Sequence, residues 1–139
     1  MSSDCIFCKI IAGDVPSTTV YEDESTLAFL DINPITHGHT LVIPREHCET
    51  ILAAPDGVLR SSISTVARVA RAMETALGAV GVNVTQANGE LAGQVVPHLH
   101  FHVIPRCADD PRATSWASGT YENQEQMRAV AKKLRAALD

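Results

Sequence analysis

Three histidines recur at alternate positions in Pro97-His98-Leu99-His100-Phe101-His102-Val103-Ile104. In an extended chain successive side chains point to opposite faces. His98, His100 and His102 therefore share one side, about 7 Å apart, while Leu99, Phe101 and Val103 supply core contacts on the other. Imidazole titrates near pH ~6.5, so near neutrality it serves as base, acid or nucleophile. Core packing gives no reason to gather three imidazoles on one face. The arrangement reads as a catalytic strand; a polar sheet face and a three-histidine metal site are the other readings, the latter requiring a bent strand. A histidine that attacks phosphorus needs a partner for its second nitrogen, and a nearby carbonyl would fix the tautomer. Phosphorus is the expected target because Asn88-Gly89-Glu90 and Ala92-Gly93-Gln94 form a glycine-bearing turn just before the strand. Backbone N–H groups in such a turn can make an anion nest, although ordinary turn geometry also calls for glycine. A further cluster, Cys5-x-x-Cys8, fits either a redox pair at a helix start or half of a zinc site. A strand ahead of Cys5 is not expected, which disfavours the redox pair.

The elements that must position these residues follow from periodicity. Strands are expected over 18–22, 26–31, 39–44, 79–86 and 98–104, the third stopped by Pro44 and the last closed by Pro105. The first two should form a hairpin. Leu59, Ile63, Val66, Ala70, Met73 and Leu77 recur at helical spacing, opposite Arg60, Ser64, Arg68, Arg71 and Glu74, which predicts a helix over 55–77 ended by Gly78. Met127, Val130, Ala131, Leu134 and Leu138 predict a terminal helix over 122–138. The sum is an α+β fold: a five-stranded, mostly antiparallel sheet with one long helix and a C-terminal helix. Residues 1–106 form the expected main domain and 107–139 a tail of the same globular unit.

Composition bounds the partners. The chain has 139 residues, 45% hydrophobic and 19% charged, which fits one folded domain and excludes a disordered chain. Eleven basic against 16 acidic residues give a net charge of −5, an argument against a nucleic-acid or membrane surface. No apolar run approaches the ~20 residues of a membrane span, and the first residues do not read as a signal peptide. Four cysteines are too sparse for a secreted disulfide framework, so a cytoplasmic location is expected.

The His98-x-His100-x-His102 run, with apolar residues in its gaps, resembles the signature of the histidine triad family of nucleotide hydrolases and transferases. The resemblance extends over about residues 5–106, through Cys5 to Ile11, Leu27 to Pro34, His39 to Pro44, Asn88 to Gln94 and His98 to Arg106. It implies that His100 is the nucleophile, that His102 bonds the attacked phosphate, and that His39 supports the network. It gives Gln94 a contact to the phosphate and bridging atom, and Asp31 the ribose hydroxyls. It also implies that Ile6, Phe7, Phe29 and Ile32 hold a purine base, and that Asn88, Gly93, Gln94 and Val95 belong to the nucleotide turn. Cys5-x-x-Cys8 is similar to the start of many bacterial-type members, which implies a structural zinc held by Cys5, Cys8, His47 and His98. Family members are usually homodimers whose sheets join into one.

The chain departs from the family pattern at Ala87, where a polar residue is usual, and at Val95, where a hydroxyl often assists the leaving group. The tail after Arg106 has no matching motif; in some relatives it approaches the active site, so Trp116 is either a pocket residue or an anchor. The expected activity is hydrolysis at the α-phosphorus of purine nucleoside phosphoramidates, dinucleoside polyphosphates or related esters. A nucleotide-binding regulatory protein with little turnover and a nucleotidyl transferase are the alternatives.

Overall fold

The computed structural model describes residues 4–138, so residues 1–3 and 139 of the two expected segments lie outside it. The order of elements is α1 (Ile6–Ala12), β1 (Thr19–Glu22), β2 (Thr26–Leu30), β3 (Thr40–Pro44), α2 (Asp56–Leu77), β4 (Gly81–Thr85), β5 (Phe101–Arg106) and α3 (Gln124–Leu138). A single 3₁₀ turn, Glu90–Ala92, interrupts the connection from β4 to β5. The strands form one antiparallel sheet in the order β1-β2-β3-β5-β4. This is the expected α+β architecture.

Every residue of β2 and β3 is buried, because both faces of the sheet centre are covered. Ala28, Leu30, Val42, Leu99, Phe101 and Val103 pack toward Val66, Val69 and Met73 of α2. On the reverse face Leu27, Phe29, Leu41 and Ile43 pack with Phe7 of α1. Strict alternation along β2 and β3 thus divides the apolar residues between two clusters. Met127, Ala131 and Leu134 tie α3 into the larger cluster.

Several expectations need correction. Periodicity does not predict the helix α1; Cys5 caps it by accepting from the Cys8 N–H, and Gly13 ends it in the left-handed region at φ 83°. The buried face of α2 is rotated from the expected stripe: Val69 and Ala72 are buried, whereas Ile63 is half exposed. Polar Ser62 and Thr65 lie inside, with Thr65 Oγ1 2.7 Å from Thr26 Oγ1, a pairing that apolar periodicity does not register. The last strand begins at Phe101, not His98, because the Leu99 N–H donates to Cys48 O at 2.7 Å instead of joining the ladder. It also runs through Pro105. That residue pairs with Val82 on β4, while its carbonyl accepts from Thr36 Oγ1 on the side where β3 has ended, so its missing N–H breaks no ladder bond.

Candidate active site and metal centre

The alternation expected around the histidines holds across the strand boundary. Leu99 and Val103 are fully buried in the main core, and the rings of His100 and His102 lie 5.1 Å apart. Phe7 of α1 meets His98 and His100 edge-on at 5.8 and 5.2 Å, and Phe29 at 5.6 Å.

Hydrogen bonds fix the tautomer of each ring. His100 Nδ1–H donates to His98 O at 2.7 Å, which leaves the lone pair on Nε2. The Ile35 N–H donates to His39 Nδ1 at 3.0 Å, so His39 carries its proton on Nε2. That proton is donated to His102 Nδ1 at 2.9 Å, and His102 in turn carries its own on Nε2. The pair therefore presents a nitrogen lone pair on His100 beside an N–H on His102. Burial pushes the pKa of both below the usual histidine range, opposed in each by Asp31. His39 falls to about 4 because burial outweighs the attraction of Asp31. Its Nε2 stands 3.6 Å from Asp31 Oδ2, but the ring is neutral at pH 7, so this is a dipolar contact and not an ion pair. Asp31, His39 and His102 are close enough to suggest a metal site. The proton on His39 Nε2 argues against it, since a protonated nitrogen cannot ligate.

Cys5, Cys8, His47 and His98 form a different kind of cluster. Cys5 Sγ lies 3.4 Å and Cys8 Sγ 3.6 Å from His98 Nδ1; Cys8 Sγ lies 3.3 Å from His47 Nδ1, and the two Nδ1 atoms are 3.2 Å apart. Tetrahedral geometry around zinc, with bonds of ~2.3 Å to sulfur and ~2.05 Å to nitrogen, separates sulfur from nitrogen by ~3.6 Å and nitrogen from nitrogen by ~3.4 Å. The donor set fits a four-coordinate metal. His98 Nε2–H donates to Pro44 O at 2.9 Å, which turns its Nδ1 lone pair into the cluster. Adjacent Cys48 is excluded: it is buried in the main core.

The turn before the histidines departs from its expected use. The amides of Ala92, Gly93 and Gln94 donate to carbonyls inside the turn, and Gly89 N–H donates to Gln94 Oε1. These four amides do not form an anion nest. Gln94 Nε2 donates to both Glu49 O and Val96 O, so its two N–H groups are spent on the loop. Asn88 bonds Gln86 and the Ile51 N–H, holding one loop to the other. Val95 is 89% exposed. Of the apolar residues expected at a base, Phe7 and Phe29 are buried in the reverse-face cluster, whereas Ile6 and Ile32 are exposed. Trp116 is exposed and covered on one face by the Arg106 guanidinium, 4.6 Å from its centre.

Fold and histidine cluster together define a small α+β protein whose sheet carries a hydrogen-bonded histidine network beside a Cys–His cluster. Residues 12–109 match the HIT domain. The chain is 50% identical over 105 residues to Protein hit of Bacillus subtilis, covering 76% of this chain and 72% of that one. It is 43% identical over 102 residues to adenosine 5'-monophosphoramidase hnt1 of Schizosaccharomyces pombe, 73% of this chain and 74% of that one. A zinc-bound histidine triad family protein from Mycobacterium smegmatis superposes with a TM-score of 0.86 at 37% identity, over 97% of this chain and 93% of that chain. The chain belongs to the histidine triad (HIT) family. Its similarity spans a bacterium and a yeast, so the expected bacterial-type branch is not singled out. Among the described residues no helix is long and apolar enough to cross a membrane.

Proposed function

We propose that this protein hydrolyses nucleoside phosphoramidates and related phosphoanhydrides at the α-phosphorus. The observation that carries the reading is the pair of fixed tautomers, a lone pair on His100 Nε2 beside an N–H on His102 Nε2. His100 Nε2 attacks phosphorus, the bond to the amine breaks, and the amine leaves with a proton from water or substrate, since Val95 has no hydroxyl to give. His102 Nε2–H donates to a phosphoryl oxygen as its charge grows. The His98 carbonyl steadies the ring as it becomes cationic. Water then cleaves the nucleotidyl-histidine bond, releasing the nucleoside monophosphate and neutral His100.

Asp31 accepts from the ribose hydroxyls, with Oδ1 already held by the Asn33 N–H at 2.8 Å. Ile6 and Ile32 supply exposed apolar surface for a purine, backed by Phe7 and Phe29. Asn88, Gly93, Gln94 and Val95 shape the rim of the phosphate site. The Cys5, Cys8, His47 and His98 cluster holds zinc in a structural role, all four positions being filled by protein. The protein works in the cytoplasm as a homodimer. β4 lies at the sheet edge with Val84 46% exposed and Val80, just before the strand, 76% exposed, and pairing of two such edges would join the sheets.

The test is release of AMP from adenosine 5'-phosphoramidate, with His100→Ala as control. Wild type should turn over, and the variant should lose on the order of 10³-fold or more. Nucleotide binding by both proteins with turnover by neither would replace the hydrolase with a regulatory binder. A nucleotidyl sugar formed on adding a sugar phosphate would indicate transfer. Metal analysis should find about one zinc per chain, as a filled four-ligand site requires.

A further inference from the structure

The HIT domain match ends at residue 109, yet the chain beyond it returns to the histidine network. The turn from Pro34 to Gly38 is gripped from outside by the segment 112–121. Gly119 N–H donates to Pro34 O at 2.7 Å, and Arg112 Nε–H to Ile35 O at 3.0 Å. The Gly38 N–H donates to Tyr121 Oη at 2.9 Å. The His37 ring stacks on Tyr121 at 4.6 Å and its Nε2–H donates to Thr120 O. Arg112 is itself oriented by donating to Ala117 O from its guanidinium.

One residue of the gripped turn decides the protonation pattern of the site. Ile35 accepts from Arg112 through its carbonyl and donates to His39 Nδ1 through its N–H. That N–H keeps the His39 proton on Nε2, from which it reaches His102. If the turn shifts, His39 is free to place its proton on Nδ1. Its Nε2 would then face the His102 Nδ1 lone pair with a lone pair of its own. The contact would be lost or repaired by a tautomer change in His102, which moves the proton away from Nε2.

We propose that segment 112–121 is a clamp on the 34–38 turn that sets the tautomers of His39 and His102, with Arg112 and Tyr121 as its positioning residues. The proposal rests on the reading of His102 as the phosphate donor. Neither residue touches the reacting atoms; both act through Ile35 and Gly38.

The experiment compares wild type, Tyr121→Phe, Arg112→Ala and Arg112→Lys by the ring ¹⁵N shifts of His39 and His102, and by kcat and KM for adenosine 5'-phosphoramidate. Tyr121→Phe removes one oxygen and keeps the ring, so it leaves the fold in place. Wild type should show both rings as single Nε2–H tautomers. Tyr121→Phe and Arg112→Ala should show mixed tautomers and lose about tenfold in kcat with KM within about twofold, and Arg112→Lys should recover most of both. Ring shifts unchanged in Tyr121→Phe and Arg112→Ala would overturn the proposal, whatever happened to the rate. A wild-type protein without turnover would end the hydrolase reading alone, because the ring shifts decide the clamp without catalysis.

Discussion

Replacing His39 with glutamine separates hydrogen bonding from titration at the most strongly perturbed group of the site. A glutamine amide N–H can reach the position of His39 Nε2 and donate to His102 Nδ1, but it binds no proton. In the folded protein burial holds His39 at about 4, against 6.5 when unfolded. Between those values the unfolded chain takes a proton that the folded chain refuses, so stability rises with pH through the window. The neutral ring contributes fully above pH ~6.5 and its contribution disappears as pH falls through ~4. The displacement corresponds to about 3 kcal/mol. Urea unfolding of wild type and His39→Gln from pH 4 to 7.5 measures it. The other buried histidines also respond to acid, but both proteins share them, so the difference between the two curves isolates His39. That difference should change by about 3 kcal/mol across the window, with wild type the steeper. Parallel curves would refute the argument that His39 is buried neutral. Turnover at pH 7 should fall by less than about tenfold in the variant, because the donor to His102 survives.

Other consequences are open to measurement. Cys8→Ser removes a donor from the four-residue cluster, and bound metal in the purified variant should fall below about a tenth of an equivalent with a lower thermal midpoint. Gly38→Ala should cost about 2–3 kcal/mol in urea unfolding: φ is +103°, and a Cβ would stand 2.7 Å from Leu77 Cδ1 and 3.2 Å from Pro105 Cγ. Gly57→Ala, in the first turn of α2 with open space around it, should instead be neutral or stabilising by about 0.5–1 kcal/mol. Met73→Ala, at a fully buried position between α2 and the sheet, should cost about 2–5 kcal/mol.

The sheet and its two long helices were legible because their residues repeat. Alternation survives even where pairing fails: His98 and His100 keep their expected side although Leu99 bonds to Cys48 and not to a strand. The short helix α1 was not legible, since seven residues carry too little periodicity to separate a helix from a loop. Its signal lay in Cys5 as cap, Gly13 as stop and Phe7 between them. Apolar periodicity misplaces the face of α2 because Ser62 and Thr65 are polar and buried, one of them satisfied by Thr26 across the interface. Spacing indicated that the turn before the histidines could hold an anion, but spacing does not reveal that Gly89, Ala92, Gly93 and Gln94 spend their amides on one another. The clamp from Arg112 and Tyr121 joins residues some eighty positions apart through backbone atoms, which side-chain identity does not encode.

His98 serves two masters through opposite ends of one residue. Its ring belongs to the cysteine cluster, while its carbonyl accepts a hydrogen bond from His100 Nδ1–H. The amino-terminal helix is therefore moored to the same peptide that orients the His100 ring. Truncation or oxidation at the start of the chain would be felt more than ninety residues downstream, as a His100 ring free to swivel.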